Sequence, residues 1–249
     1  MAKIVVLGSS AATPFPRTKT NRFSDYRDIE TYRRKYRLHD DLVCRLAAKG
    51  GKQRRTRACI AVVVRGRTIL IDAGPDILFQ LRRARLKPDA VVITHQHADA
   101  SFGLRYLKDT PVYSEARGNI KPSKQQKILG LTVLPFRVIH AAKCRCVGYK
   151  FWLGHKSFAY VVDIASTRGI KKYVSGCDLF FIDGSSLKTN LRTHLSITDQ
   201  LKIYKRWNLK KIIITHIGHQ TLPQQKLIKF VRSLYPNSTV AYDGQTIRL

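Results

Sequence analysis

The chain has 249 residues, 44% of them apolar, with 46 basic against 16 acidic side chains and a formal net charge of +30. That length suits one large domain or two small ones, and the apolar share is enough for a full core. No run of about 18 apolar residues exists, so no segment reads as a membrane-spanning helix, and self-repulsion on this scale points to a polyanionic or phosphorylated partner. A host whose proteins are generally basic is the alternative source of the charge. The five cysteines, Cys44, Cys59, Cys144, Cys146 and Cys177, are odd in number and form no disulfide framework. That usage suits a reducing compartment.

Lys3 to Leu7 reads as a strand; the run is too short for a signal sequence and no cleavage-like segment follows. A cytoplasmic protein is therefore expected. Gly8-Ser9-Ser10-Ala11-Ala12-Thr13-Pro14 is a small-residue turn without the full glycine fingerprint of a phosphate loop. Residues 17 to 57 read as a basic insertion in one domain spanning 1–249. Phe23, Tyr26, Tyr32 and Tyr36 are interleaved with its cations, and a helix is expected over Tyr26–Ala48. The clusters Arg33-Arg34-Lys35 and Arg54-Arg55-Thr56-Arg57 are expected to face solvent. Such a segment suits nucleic-acid binding, or else a solvated surface.

Cys59–Val64 and Thr68–Ile71 read as strands around Arg65-Gly66-Arg67. Asp72-Ala73-Gly74-Pro75 follows, with Pro75 placed to open a helix. Further strands are expected at Pro111–Tyr113, over much of Ile128–Ile139, at Tyr149–Leu153, Ser157–Val162, Leu179–Ile182 and Lys211–Ile214, with closing strands at Ser238–Tyr242 and Thr246–Arg248. Helices are expected at about Ala100–Leu107, at Ser196–Trp207 with Ser196 as N-cap, and at Leu222–Leu234. Several of these strands end on His140, Asp163, Asp183 or Thr215-His216-Ile217-Gly218-His219.

The most informative stretch is Val91-Val92-Ile93-Thr94-His95-Gln96-His97-Ala98-Asp99-Ala100. Two histidines and an aspartate at alternating positions after a buried strand can converge on one point, which suits a hydrolytic metal centre. Thr94-His95-Gln96-His97-Ala98-Asp99 resembles the first motif of the metallo-β-lactamase fold hydrolases, whose usual form is His-x-His-x-Asp-His. His140, Asp163 and His216 fall in that family's order. Thr193-His194-Leu195-Ser196 is similar to the extra histidine of its phosphodiesterase branch. Leu70-Ile71-Asp72-Ala73-Gly74-Pro75-Asp76 and the Thr-His-Ile-Gly-His ending bring the likeness nearest to the phosphoribosyl 1,2-cyclic phosphate phosphodiesterase branch, with tRNase Z more distant.

This resemblance implies an α/β fold, the four-layer αββα sandwich. It implies one or two divalent ions, zinc or manganese, held by His95, His97, Asp99, His140, Asp163 and His216. Asp99 also stands as a base or orienting group, His194 as general acid or phosphate clamp, and Asp72 as support for a ligand. Asp183 is expected to cap or orient rather than catalyse; His39 and His155 read as plain surface residues.

Two departures are visible. The sixth motif residue, a second-metal histidine in the family, is Ala100 here. Relatives often carry a cysteine-rich loop near residue 20 that binds a structural zinc with a histidine equivalent to His219, whereas Arg17-Thr18-Lys19-Thr20-Asn21-Arg22 has no cysteine. The expected function is a metal-dependent phosphodiesterase acting on a cyclic or small phosphodiester. The alternatives are an RNA-processing nuclease of the same fold and a non-catalytic nucleic-acid-binding module. No membrane partner is expected, and a homodimer is left open.

Overall fold

Strand β1 (Ala2–Gly8) has two apolar faces. Ile4 and Val6 enter one core, and Val5 and Leu7 enter another. Strand β10 (Leu179–Ser186) behaves the same way: Leu179 and Phe181 join the core of Ile4 and Val6, while Phe180 and Ile182 face a third. Strand side chains alternate with period two, so a strand apolar at every position must be covered on both sides. Four layers are the consequence.

The computed structural model describes residues 2–13, 42–142, 144–207 and 209–249. Its remaining strands are β2 (Cys59–Val64), β3 (Arg67–Ile71), β4 (Ala90–Val92), β5 (Val112–Tyr113), β6 (Gln126–Ile128), β7 (Leu131–Val138), β8 (Cys146–Leu153), β9 (Lys156–Val161), β11 (Ile212–Gln220), β12 (Ser238–Val240) and β13 (Thr246–Arg248). One sheet runs β13-β1-β2-β3-β4-β5 and the other β12-β11-β10-β9-β8-β7-β6. Between them lies a core rich in aromatic rings, with Phe151 and Phe158 stacked at 5.0 Å.

The helices are α1 (Leu42–Ala48), α2 (Ile77–Ala84), α3 (Ala98–Ser101), α4 (Lys171–Val174), α5 (Ile197–Lys205) and α6 (Gln224–Leu234). Helix α2 buries Ile77 and Leu81 on the outside of the first sheet. Helices α5 and α6 bury Leu201, Tyr204, Leu227 and Val231 on the outside of the second. The expected αββα sandwich is the observed architecture. Ser196 caps α5 as expected, its Oγ accepting from the Asp199 amide at 3.1 Å. Among the described residues no helix is long and apolar enough to cross a membrane.

Strands β3, β4 and β5 are parallel neighbours, as are β9, β10, β11 and β12. Parallel pairing puts their carboxyl ends on one edge, where open α/β sheets place their ligands. Asp72, Thr94 and Asp163 sit just past these ends, and His216 lies within β11 where its register with β10 shifts. Strands β10 and β11 run further than expected, past Asp183 and His216. Gly184 and Gly218 explain this: a Cβ on Gly218 would collide with the Ser185 carbonyl, and one on Gly184 would crowd Thr215. The helix expected over Ala100–Leu107 is α3 followed by a 3₁₀ turn, Phe102–Tyr106. Helix α2 begins at Ile77 rather than at Pro75, because Asp76 is engaged by Arg57: the Arg57 amide donates to Oδ2 at 2.9 Å and the guanidinium pairs with the same carboxylate at 3.2 Å.

That contact belongs to a correction. Arg55, Thr56 and Arg57 do not face solvent; they are 1%, 2% and 6% exposed. Arg55 donates to Ser9 Oγ at 2.6 Å and to the Ala241 carbonyl at 2.7 Å, and it reaches Gln224. Ser9 in turn donates to Asp243 Oδ1 at 2.7 Å. Burial pulls the Arg55 guanidinium down to about 10 while the Asp243 charge works against it. These cations staple β1, β2 and the 241–245 turn together. The cluster Arg33-Arg34-Lys35, the aromatic residues Phe23 to Tyr36 and His39 lie outside the described residues.

Removing Arg55 leaves three buried acceptors, Ser9 Oγ, the Ala241 carbonyl and Gln224 Oε1, without their donor, at a cost of roughly 3–5 kcal/mol in all. Arg55→Met should therefore lower the melting temperature by about 6–20 °C, at roughly 2–4 °C per kcal/mol for a chain of this size. An unchanged transition in differential scanning calorimetry would show that Arg55 is not part of the core.

Candidate metal centre

Three residues are aimed into the site by the same local device. Asp72, Asp163 and His216 have φ of 66°, 56° and 53°, the left-handed region. Non-glycine residues adopt it at a cost of order 1–3 kcal/mol, and such strain collects at functional sites. The turn after β3 is locked onto α3. The Ala73 amide donates to the Ala100 carbonyl and the Gly103 amide to the Ala73 carbonyl, both at 2.7 Å. Gly74 is glycine for a steric reason: a Cβ there would strike the Asp99 carbonyl. The Leu70–Asp76 motif thus fixes where Asp99 sits.

All six expected ligands come together. The His95, His97 and His140 rings lie 4.6–5.4 Å apart between centroids. His140 Nε2 is 3.6 Å from Asp163 Oδ1. His216 Nε2 is 3.4 Å from Asp163 Oδ2 and 3.7 Å from Asp99 Oδ2. Asp163 therefore stands between the three-histidine group and the Asp99–His216 group. His194 joins from the loop before α5, its Nδ1 at 3.9 Å from Asp163 Oδ1. His155, in the β8–β9 turn, is exposed, as expected.

Hydrogen bonds on the far side of each ring decide which nitrogen faces the centre. His140 Nδ1 donates to the Thr193 carbonyl at 2.9 Å, leaving Nε2 as the inward lone pair. Thr94 Oγ1 lies 2.9 Å from both Asp72 Oδ2 and His95 Nδ1, and the Thr94 amide donates to Asp72 Oδ1 at 2.8 Å. Asp72 thus orients His95 through Thr94, the supporting role read for it. His95 Nε2 and His216 Nε2 are buried without a hydrogen-bond partner.

Asp183 and Ser185 do more than the sequence suggested. Asp183 is fully buried and its two oxygens serve two histidines: Oδ2 accepts from His194 Nδ1 at 2.7 Å, and Oδ1 lies 3.3 Å from His216 Nδ1. Ser185 Oγ donates to Asp183 Oδ1 at 2.6 Å and stands 3.0–3.1 Å from both rings. The end of β10 was visible in the sequence, but nothing there distinguished an aspartate that orients two histidines from a helix cap. Ser185 carried no signal at all.

The electrostatics follow from burial and from carboxylate crowding. Burial pushes Asp163 up to about 7, helped by Asp99 and Asp183 and opposed by His216. Burial would raise Asp183 too, but hydrogen bonds from His194 and His216 hold it well below the usual range. His95 is pulled down to about 3 by burial, with His97 and His140 adding to the effect, so its imidazole is neutral. Burial opposes a charge on His216, yet Asp163, Asp183 and Asp99 raise it well above its ordinary value. A pocket whose carboxylates stabilise a buried imidazolium has the field to hold a cation in its place. The neutral inward nitrogen of His95, and a His216 Nε2 that faces two carboxylates, fit a metal ion.

The two prospective seats are unequal. One has His95, His97 and His140, with Asp163 reaching it beside His140; the other has Asp99, Asp163 and His216. Ala100, 4% exposed, supplies nothing to the second and instead borders a void of about 10 Å³ beside Asp72, Asp99 and His216. A cleft of about 490 Å³ opens over His97, Asp99, His194 and His216. A neighbouring one of about 570 Å³ lies over His95, His97, Glu115 and Arg145. His219 sits at the edge of the first cleft, its Nδ1 at 3.3 Å from Cys44 Sγ.

The model of the Metallo-beta-lactamase superfamily matches residues 54–122. The octanoyltransferase of Porphyromonas gingivalis (strain ATCC BAA-308 / W83) is 26% identical over 236 residues, which cover 81% of this chain and 46% of that protein. The ribonuclease Z of Bradyrhizobium sp. (strain ORS 278) is 25% identical over 95 residues, 36% of this chain and 31% of that one. The chain thus spans less than half the length of these curated relatives. Among solved structures, a diphosphatase from the PhnP family is similar with a TM-score of 0.79 and 23% identity, covering 100% of this chain and 98% of that one. Zn(2+)-bound PqqB from Methylobacterium extorquens gives 0.74 and 20%, covering 99% and 100%. The short form of human tRNase Z gives 0.61 and 15%, covering 99% and 98%. Likeness that runs the length of the chain, through both sheets and both helix layers, gives this protein the metallo-β-lactamase fold.

Proposed function

We propose that the chain is a metal-dependent phosphodiesterase that hydrolyses a cyclic or small phosphodiester. The observation that carries this reading is the buried cluster itself: His95 Nε2 is buried with no hydrogen-bond partner, and His216 Nε2 faces the carboxylates of Asp163 and Asp99 at 3.4 and 3.7 Å. In this reading His95, His97, His140 and Asp163 hold one divalent ion, zinc or manganese, and Asp99, Asp163 and His216 hold a second. Such an ion supplies a Lewis acid for a phosphoryl oxygen and acidifies a bound water.

The remaining roles belong to the chain's own groups. Asp99, at the floor of the open cleft, orients the attacking water as a hydrogen-bond acceptor. His194 holds a proton at the ring nitrogen opposite its Asp183 bond and gives it to the leaving oxygen. Burial disfavours the His194 imidazolium, but the Asp183 hydrogen bond wins and raises it above its ordinary value. The similar proteins named as a diphosphatase and a ribonuclease support phosphoester chemistry, and the Zn(2+)-bound neighbour supports zinc. Acyl transfer is not carried over from the octanoyltransferase, of which the chain covers 46%. The five free thiols agree with a cytoplasmic setting. The net charge of +30 favours RNA as the second reading of the substrate.

Turnover of bis(p-nitrophenyl) phosphate with added zinc or manganese is expected, and His97→Ala should reduce it about a thousandfold, the effect of several kcal/mol of lost charge stabilisation. A short RNA assayed beside it separates the two substrates. Metal-free protein, silent with every divalent ion yet binding RNA in a salt-sensitive way, would leave only the non-catalytic module.

The unequal seats give a second expectation. After dialysis one equivalent of metal should remain, with the second returning only at raised concentration; elemental analysis of His216→Ala should show the weaker equivalent lost and the tighter one kept. Two equivalents of equal affinity would contradict the ligand count.

The pH profile gives a third. His194 acts while protonated and its pKa is raised, so kcat should hold through neutrality and fall on the alkaline side. Asp183→Asn removes the bond that stabilises the imidazolium and should move that limb to lower pH. A limb that stays in place in Asp183→Asn would remove His194 as the proton donor.

A further inference from the structure

The opposite end of the sandwich carries a cavity that the metal centre does not use. Strand β3 runs from Arg67 toward Asp72, so its first residue lies at the far end from the site. Three two-residue hairpin turns meet there: Arg65-Gly66 between β2 and β3, Leu129-Gly130 between β6 and β7, and Gly154-His155 between β8 and β9. Arg65, Gly66, Leu129, Gly130 and Gly154 all have positive φ, as tight hairpin turns require. The turns wall a cavity of about 650 Å³ at the open end of the inter-sheet core.

Its lining divides into two kinds of surface. Arg65, Arg67 and Lys127 are exposed and line it, and no acidic residue does. None of the three makes an ion pair among the described residues. Lys156 makes the contrast: it lies in the same group of hairpins, pairs with Asp178 at 3.6 Å, and takes no part in the cavity. The other surface is apolar on the inter-sheet side, from Ile69 and Leu131, and continues across the Gly130 and Gly154 turn tips to the half-buried Trp152, which pairs with Thr132 on the outer face of its sheet. Lys150 Nζ sits 5.1 Å from the centre of the Trp152 ring and donates to the Ser175 carbonyl at 3.4 Å, outside the cavity.

We propose that this cavity binds a nucleotide, free or as one unit of a single strand, with its phosphate on Arg65, Arg67 and Lys127 and its base against the apolar wall at Trp152. Unneutralised cations with donors but no acceptors select an anionic oxygen group. An aromatic and aliphatic wall beside them selects a flat ring rather than a bare inorganic ion. The volume lies within the range of small-ligand sites, and the net charge of +30 draws phosphate-bearing ligands to the protein. The inference is independent of the chemistry assigned to the metal centre.

The test is a fluorescence titration of the intact protein, whose two tryptophans include Trp152, with 5′-AMP, inorganic pyrophosphate and a ten-residue oligodeoxyadenylate. AMP or the oligomer should change the emission, and Trp152→Phe should remove that change. The triple variant Arg65→Asn, Arg67→Gln, Lys127→Gln should weaken binding by about tenfold or more. Asn is chosen at position 65 because it tolerates the left-handed backbone there. Lys127→Glu, a single change at an exposed position, should act in the same direction. Hydrolysis of bis(p-nitrophenyl) phosphate should be unchanged in both variants. Binding of AMP identifies a free nucleotide as ligand. Binding of the oligomer alone, with a salt slope reduced by about 2 in the triple variant at about 0.7 per phosphate contact, identifies a strand. Pyrophosphate binding as tightly as AMP with Trp152 silent would overturn the proposal, as would affinities for every probe that the triple variant leaves unchanged.

Discussion

Asp183 is the constraint on which the two sides of the site depend. Its carboxylate is fully buried, and the hydrogen bonds to His194 and His216, with Ser185 between them, are what make that burial tolerable. The same bonds turn the two rings so that their other nitrogens face the centre. A buried anion that is this well satisfied cannot shift without exposing an unpaired charge, so it sets the spacing between His194 and His216. Glycines at 184 and 218 allow it, by letting β10 and β11 approach closely enough for Asp183 to reach both rings.

The site is built from strand ends that bend away through strained backbone. Asp72, Asp163 and His216 occupy left-handed conformations, and each is held there by packing or hydrogen bonds beyond its own contribution to the centre. The cost is spread over two sheets whose inter-sheet and outer cores are apolar and continuous. Precision at the edge of a sandwich of this kind follows from the rigidity of parallel strands; the chemistry follows from which side chains the last residue of each strand presents.

Much of this was legible in the sequence. Period-two apolar runs announced the strands and the polar residues just past them, His95 and His97 read as a local ligand pattern, and the family resemblance marked His140, Asp163 and His216 as their companions. Asp72 was legible as a supporting group through the motif it shares with the resembled family. What was not legible were features that depend on three-dimensional approach. Arg55 and Arg57 look like surface charge in a row of basic residues, but Asp76, Ser9 and Asp243, distant in sequence, meet them inside the fold. Asp183 and Ser185 matter only through the two rings that reach them, and no local pattern announces that. Ala100 was readable as a missing ligand; that a water-sized void stands beside it needed the packing of Asp72 and His216 to be seen.

The central claim is that the cluster around Asp163 is a seat for divalent metal, and anomalous diffraction from crystals grown with zinc or manganese, recorded at the absorption edge of the ion, tests it most directly. The account predicts a strong peak within bonding distance of His95, His97, His140 and Asp163, and a weaker one among Asp99, Asp163 and His216. Crystals saturated with metal that show these rings and carboxylates in place but no anomalous peak between them would contradict it.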